Sequence, residues 1–200
     1  NRTLRDFLPL YWDELPFRRP EELRRRRIDR LILVDTQGVP PLKGLYPSTE
    51  ITIIDHHPLD REVVGKANYR GGEVGSTTTL LVPELMAKRV SLSRVEATLL
   101  LLGIYEDTGS LSYLSTTAQD AHCAAWLLEQ GANLEVVNDF LHQPITEAQR
   151  NLYQKLLQGT QFHQFQGRSV ITACAQAGTY VEEISTLAHK LRDLYDPQAL

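Results

Sequence analysis

Five residues in this chain carry side chains that bind cations and move protons, at positions where a fold could gather them: Asp35, Asp55, His56, His57 and Asp107. Asp55, His56 and His57 are consecutive. They follow the run Ile51-Thr52-Ile53-Ile54, and Pro58 closes the stretch. Asp35 follows a second run of the same design, Leu31-Ile32-Leu33-Val34, and Asp107 ends a long apolar segment in Glu106-Asp107-Thr108-Gly109. A mixed carboxylate and imidazole set suits Mn²⁺, Co²⁺, Zn²⁺ or iron rather than a thiolate-demanding site. One carboxylate between two cations, each with further oxygen or nitrogen ligands, is the arrangement of two-metal phosphoryl chemistry. Plainer readings stand beside this one. Asp55 can cap a turn before two solvated histidines, and Asp107 can be a turn residue ahead of a glycine C-cap. The plain reading does not explain why two acids end a helix, where the macrodipole disfavours them by about 0.3–1 kcal/mol.

The elements that would position these residues follow from the patterning. A continuous apolar run without alternation reads as a strand buried in a parallel sheet, and ligands in open α/β sheets sit beyond the carboxyl ends of such strands. Strands are predicted over 30–36 and 51–55. The segment between them, punctuated by Pro40, Pro41, Gly44 and Pro47, is long enough for a parallel crossover around one short helix. Residues 60–73 read as loop with room for a short strand. Gly75-Ser76-Thr77-Thr78-Thr79 opens a helix through Met86, capped by Ser76 or Thr77. Its free N–H groups either meet a substrate phosphate or are simply capped. The next helix, from Ser91 or Ser93 to about Glu106, is apolar nearly all round and therefore buried. Residues 111–114 read as a short strand. Helices follow from Thr116 or Thr117 to Gln130, briefly over 133–141, and from Thr146 to about Leu157. The segment 146–165 reads as a linker helix at a domain boundary. Beyond Gly167 comes a strand, 169–174, and an amphipathic helix, 181–195. His122, His142, His163 and His189 read as structural or exposed, and Asp120 and Glu147 as first-turn acids favoured by the dipole.

Composition narrows the function. The chain has 200 residues, 42% of them hydrophobic and 23% charged, which is ordinary for a globular protein. Its net charge of −4 makes no bulk electrostatic case for nucleic-acid binding. The run Arg24-Arg25-Arg26-Arg27, after Glu21 and Glu22, is either a phosphate-binding patch or, the favoured reading, a solvated helix face. Cys123 and Cys174 lie far apart with no CxxC spacing, which suits a reducing, cytoplasmic setting. No apolar stretch is long enough to span a bilayer. No GxGxxG follows either strand, which argues against a dinucleotide-binding domain.

Four ordered motifs resemble those of the DHH phosphoesterase superfamily: Asp35 after its strand, Asp55-His56-His57 after the next, Gly75-Ser76-Thr77 at a helix start, and Gly103-Ile104-Tyr105-Glu106-Asp107-Thr108-Gly109. The resemblance implies an α/β fold with a parallel β-sheet flanked by helices over 1–160, followed by the start of a second, DHHA1-like α/β unit over 161–200. It implies that Asp35 bridges two metals, that His56 and Asp107 bind one of them, and that His57 contacts the scissile phosphate. Asp55 would orient the histidines, and Ser76 and Thr77 would line the phosphate side. The implied cofactor is Mn²⁺, with Mg²⁺ or Co²⁺ as substitutes. The implied substrate is a nucleotide, short RNA or single-stranded nucleic acid, and a homodimer is compatible. The first motif of the family, an Asp-His-Asp-type cluster, is missing from these residues. It is expected upstream of Asn1, so this stretch alone is expected to hold half of a di-metal site and to have little activity. The flavour of residues 103–110 looks most like DHH modules fused to CBS pairs and a poly(A)-polymerase or tRNA-nucleotidyltransferase-like domain. That leaves two functions: a metal-dependent phosphoesterase, or an RNA-binding and scaffold domain within a larger RNA-processing protein.

Overall fold

The structure is a computed structural model that describes residues 2–19, 22, 27–60, 67–142 and 144–200. Arg24, Arg25, Arg26 and Glu21 of the basic run lie outside the described residues. Arg27 is described: it meets Asp29 at 3.4 Å, donates to Ser48 and stands over the Tyr46 ring. The elements in order are α1 (Arg2–Tyr11), a 3-10 turn (Trp12–Glu14), β1 (Arg30–Val34), β2 (Glu50–Ile54), β3 (Asn68–Arg70), α2 (Thr77–Ala87), α3 (Arg94–Thr108), α4 (Ala118–Glu129), α5 (Leu134–Leu141), α6 (Glu147–Gln158), β4 (Thr160–Phe165), β5 (Arg168–Ala173) and α7 (Ile184–Tyr195). They form two compact units, Phe7–Leu141, and Asn1–Asp6 with His142–Leu200.

The first of these units is α/β. Strands β1, β2 and β3 are parallel and lie side by side in that order, with Val34 opposite Ile54 and Ile54 opposite Arg70. The predicted burial of both strands on both faces holds only in part. Leu33, Ile53 and Ile54 are buried, but Ile32 and Val34 of β1 are exposed, so β1 alternates. The connection from β1 to β2 contains turns and no helix, against the expectation of a short one. The core is helical. Val82 of α2, Ala97, Leu101, Leu102 and Ile104 of α3, and Cys123, Ala124 and Leu127 of α4 are all buried in one cluster. Helix α3 lies at its centre and touches α2, α4 and α5, which is why its sequence is apolar all round.

Capping decides the helix starts. Ser93 caps α3 and Thr117 caps α4, each in a reciprocal capping box with the residue three positions on, Glu96 and Asp120. Pro83 sits inside α2 and cannot donate to the carbonyl of Thr79. Helix α4 covers that gap: Gln119 Nε2 lies 3.5 Å and Cys123 Sγ 3.9 Å from the orphaned oxygen. The predicted strand at 111–114 is absent. Gly109, Ser110 and Leu111 are all left-handed, at φ 55°, 56° and 68°, and the chain coils into turns there.

In the second unit the helix expected from Thr146 to about Leu157 is α6, which ends at Gln158, and the rest of the 146–165 linker segment enters β4, paired antiparallel with β5. The loop of this hairpin is Gln166-Gly167, at φ 49° and 77°, the two left-handed residues that a tight hairpin turn requires. Helices α6 and α7 pack together around Leu152, Val181 and Leu187.

Candidate metal centre

The register of the sheet places the first two acids. Because Val34 pairs with Ile54, Asp35 and Asp55 leave their strands at the same level. Asp35 N–H donates to the Ile54 carbonyl at 2.9 Å, and Asp55 N–H to the Arg70 carbonyl at 3.2 Å. Asp35 then turns into the left-handed region, at φ 57°. Aspartate is one of the few residues that visits that region, because its short polar side chain bonds locally. Its carboxylate is half exposed and accepts from the Thr77 hydroxyl at 2.7 Å.

His56 presents one defined nitrogen. Its Nδ1 lies 3.2 Å from the Val74 carbonyl oxygen. A carbonyl only accepts, so Nδ1 carries the proton, and in the neutral ring Nε2 is the nitrogen with the lone pair. Nε2 lies 3.8 Å from Asp35 Oδ1 and 4.0 Å from Asp107 Oδ2. Two ligands of one ion, each at about 2.0–2.2 Å from it, stand at most about 4.4 Å apart. Both spacings fit a shared cation. Asp35, His56 and Asp107 are thus brought together from β1, β2 and α3. Ligand atoms of Asp35, Asp55, His56 and His57 also lie within 4.8 Å of one another.

The electrostatics of Asp107 point the same way. Burial, reinforced by Asp35, pushes its carboxyl up to about 6, with His56 pulling in the opposite direction. A carboxylate held so uncomfortably in the last turn of α3 is one that a cation would stabilise.

Asp55 and His57 form a dyad. The Asp55 carboxylate is buried, and its Oδ1 accepts the backbone N–H of His57 at 3.0 Å and its ring Nδ1–H at 2.7 Å. Burial alone would raise the Asp55 carboxyl, but the two His57 bonds and one from Gln37 outweigh it, and it sits below its ordinary value. The His57 imidazole is held above its ordinary value, first by the Asp55 bond. The dyad leaves Nε2 as the outward nitrogen of an exposed ring. The Tyr69 hydroxyl braces the loop, at 2.9 Å from the Asp55 carbonyl and 2.6 Å from that of His57.

Ser76 and Thr77 lie beneath this surface. Ser76 is fully buried, and its hydroxyl caps α2 by accepting from Thr79 N–H at 3.2 Å. Thr77 Oγ1 accepts from His56 N–H at 3.2 Å while donating to Asp35, so it ties the two together. Asp120 turns out to be more than a first-turn acid. It is fully buried and accepts from Thr79 Oγ1 at 2.6 Å and from Gly75 N–H at 2.9 and 3.0 Å, besides its own cap at Thr117. The cap is visible in the sequence as Thr117-x-x-Asp120. The partners 41 and 45 residues away leave no sequence signal.

No protein-family model matches the chain. Its sequence is 39% identical to the A-adding tRNA nucleotidyltransferase of Geobacter sulfurreducens over 208 residues, which is all of this chain and 23% of that protein. It is 37% identical to the cyclic-di-AMP phosphodiesterase GdpP of Geobacillus thermodenitrificans over 123 residues, 58% of this chain and 18% of that protein. The solved structure of an exopolyphosphatase-related protein from Bacteroides fragilis shares the fold, with a TM-score of 0.56 at 17% identity over 80% of this chain and 47% of that one. The chain spans less than a quarter of the length of each of these two curated relatives.

Proposed function

We propose that this chain, a relative of the DHH phosphoesterases, is the phosphoesterase module of a larger nucleic-acid-processing protein and hydrolyses nucleotide or oligonucleotide phosphoesters with a divalent cation. The observation that carries this reading is the approach of Asp35 and Asp107 to the free Nε2 of His56, at 3.8 and 4.0 Å. These three side chains would hold the cation. Their oxygen-and-imidazole chemistry suits Mn²⁺, with Mg²⁺ or Co²⁺ in reserve. A cation there would supply a Lewis acid for the phosphoryl oxygen and a means of activating water. The remaining work falls to the chain itself. Thr77 holds the Asp35 carboxylate in place. Asp55 fixes the His57 ring with its proton on Nδ1 and keeps it readily protonated, so that Nε2–H can donate a proton to the departing oxygen. Ser76 serves this site through the cap that presents Thr77.

The similarity to a tRNA nucleotidyltransferase over the whole of this chain favours a second reading, an RNA-binding accessory module without turnover. In either case the setting is cytoplasmic, and residues 161–200 belong to a DHHA1-like part of the second unit. The test is hydrolysis by the intact protein, with Mn²⁺, of short RNA, a cyclic dinucleotide and pyrophosphate. Turnover that disappears in Asp107→Asn supports the enzyme. Binding of tRNA with no turnover of any of the three supports the accessory module.

A further inference from the structure

The structure assigns to Asp120 the part of a positioning residue for the metal centre, acting on the His56 ring through the single peptide group between Val74 and Gly75. This rests on the reading of His56 as a cation ligand. The Val74 carbonyl and the Gly75 N–H are the two ends of one planar peptide and point in opposite directions. His56 Nδ1 lies on the carbonyl end at 3.2 Å. Both oxygens of Asp120 lie on the N–H end, at 3.0 and 2.9 Å. The result is a relay of ring N–H, carbonyl, amide N–H and carboxylate. Metal-binding histidines commonly back their second nitrogen onto a carboxylate, which sets tautomer and orientation. Here a peptide stands between the two.

The charge on Asp120 is what needs explaining. The residue is fully buried, and the donors described around it, Gly75 N–H, Thr79 Oγ1–H and the N–H and hydroxyl of Thr117, are all neutral. An asparagine could accept enough of these bonds to cap α4, with the Thr79 hydroxyl turning to accept from its amide. What asparagine lacks is the negative charge. That charge polarises the peptide, and polarised hydrogen bonds strengthen their neighbours in a chain. A more basic Val74 carbonyl holds the proton on Nδ1 and leaves Nε2 free for a cation. Burial pushes the Asp120 carboxyl up, but the bonds from Thr117, Thr79 and Gly75 outweigh it and keep it ionised. Gly75 belongs to the same device. A Cβ there would stand 2.6 Å from Thr108 Cγ2 and 2.8 Å from Asp120 Oδ2, so only glycine lets this peptide seat against the carboxylate.

The alternative is that Asp120 merely clamps α2 to α4. The two are separated by the tautomer of His56 in the metal-free 200-residue chain, read from imidazole ¹⁵N shifts at a pH above the imidazole titration range. Wild type is expected to show Nδ1–H, and Asp120→Asn a shift of the population toward Nε2–H, with Mn²⁺ affinity weakened about tenfold. If Asp120→Asn only lowers the melting temperature and leaves the tautomer unmoved, the relay is wrong. Should that variant not fold, Thr79→Val takes its place. It removes a competing donor from the carboxylate, so the Gly75 amide proton should move downfield while His56 stays Nδ1–H, and an unmoved Gly75 proton overturns the proposal. His56→Asn judges the metal reading separately: unchanged Mn²⁺ binding there sinks the ligand assignment, while the tautomer experiment still decides the relay.

Discussion

Asp35 is held by its neighbours in a conformation that costs an L-residue about 1–2 kcal/mol. The bond from its N–H to Ile54 and the bond from Thr77 to its carboxylate enforce it. Asn tolerates left-handed φ and still accepts from Thr77, so Asp35→Asn should melt like wild type in the absence of metal yet bind Mn²⁺ poorly. Asp35→Ala should lose both Mn²⁺ binding and about 1 kcal/mol of stability. Thermal melts with and without Mn²⁺ distinguish the two variants. Asp107 gives a prediction with a pH sign. Its carboxyl titrates at about 6 in the folded protein against 3.8 as its ordinary value, so ionising it disfavours folding. The penalty is absent below the ordinary value, grows between the two, and is complete above about 6. Without metal, Asp107→Asn should therefore match wild type at about pH 3.5 and be more stable above pH 6. The gain, discounted for partial exposure, should be on the order of 1 kcal/mol. A melting difference that is flat across this range would contradict the shift.

The loop from Val74 to Thr77 and the start of α2 form the element on which the site depends. It supplies the carbonyl that orients His56 and the hydroxyl that joins His56 to Asp35. Gly75→Ala forces a methyl group into Thr108 and Asp120 and should destabilise by about 1–3 kcal/mol. Because the strain falls within this loop, Mn²⁺ affinity should drop along with the melting temperature. Gly167, in the β4–β5 turn at φ 77°, offers a contrast. Gly167→Ala should lower stability by about 1 kcal/mol and leave Mn²⁺ affinity unchanged. Calorimetry on both variants checks the pair.

At the scale of the whole molecule, the site side chains all belong to the unit Phe7–Leu141. On the proposed reading Asp35, His56 and Asp107 would hold a single cation, so the 200-residue chain should take up one Mn²⁺, not two, in a calorimetric titration. Binding to the folded state alone should raise the melting temperature with Mn²⁺ concentration. Among the described residues no helix is long and apolar enough to cross a membrane.

The sequence by itself determined the α/β class, the two strand ends, the buried character of α3 and the placing of Asp35, Asp55, His56 and His57 just past those strand ends and of Asp107 in the last turn of α3. Each of these rests on local signals: an apolar run, a capping residue, an acid where the helix dipole resists one. The strand after Gly167 was legible too, but the hairpin it makes with β4 was not, because residues 160–165 read as part of the linker. The exposure of Ile32 and Val34 was not legible, because an apolar run carries no mark of which face is covered. Only the tertiary structure decided that Thr77 braces Asp35, that Val74 sets the His56 proton, and that Asp120 stands behind Gly75. Those contacts join residues 18 to 45 positions apart, two of them through backbone groups, and a backbone carbonyl or N–H is the same at every position until the fold chooses what it faces.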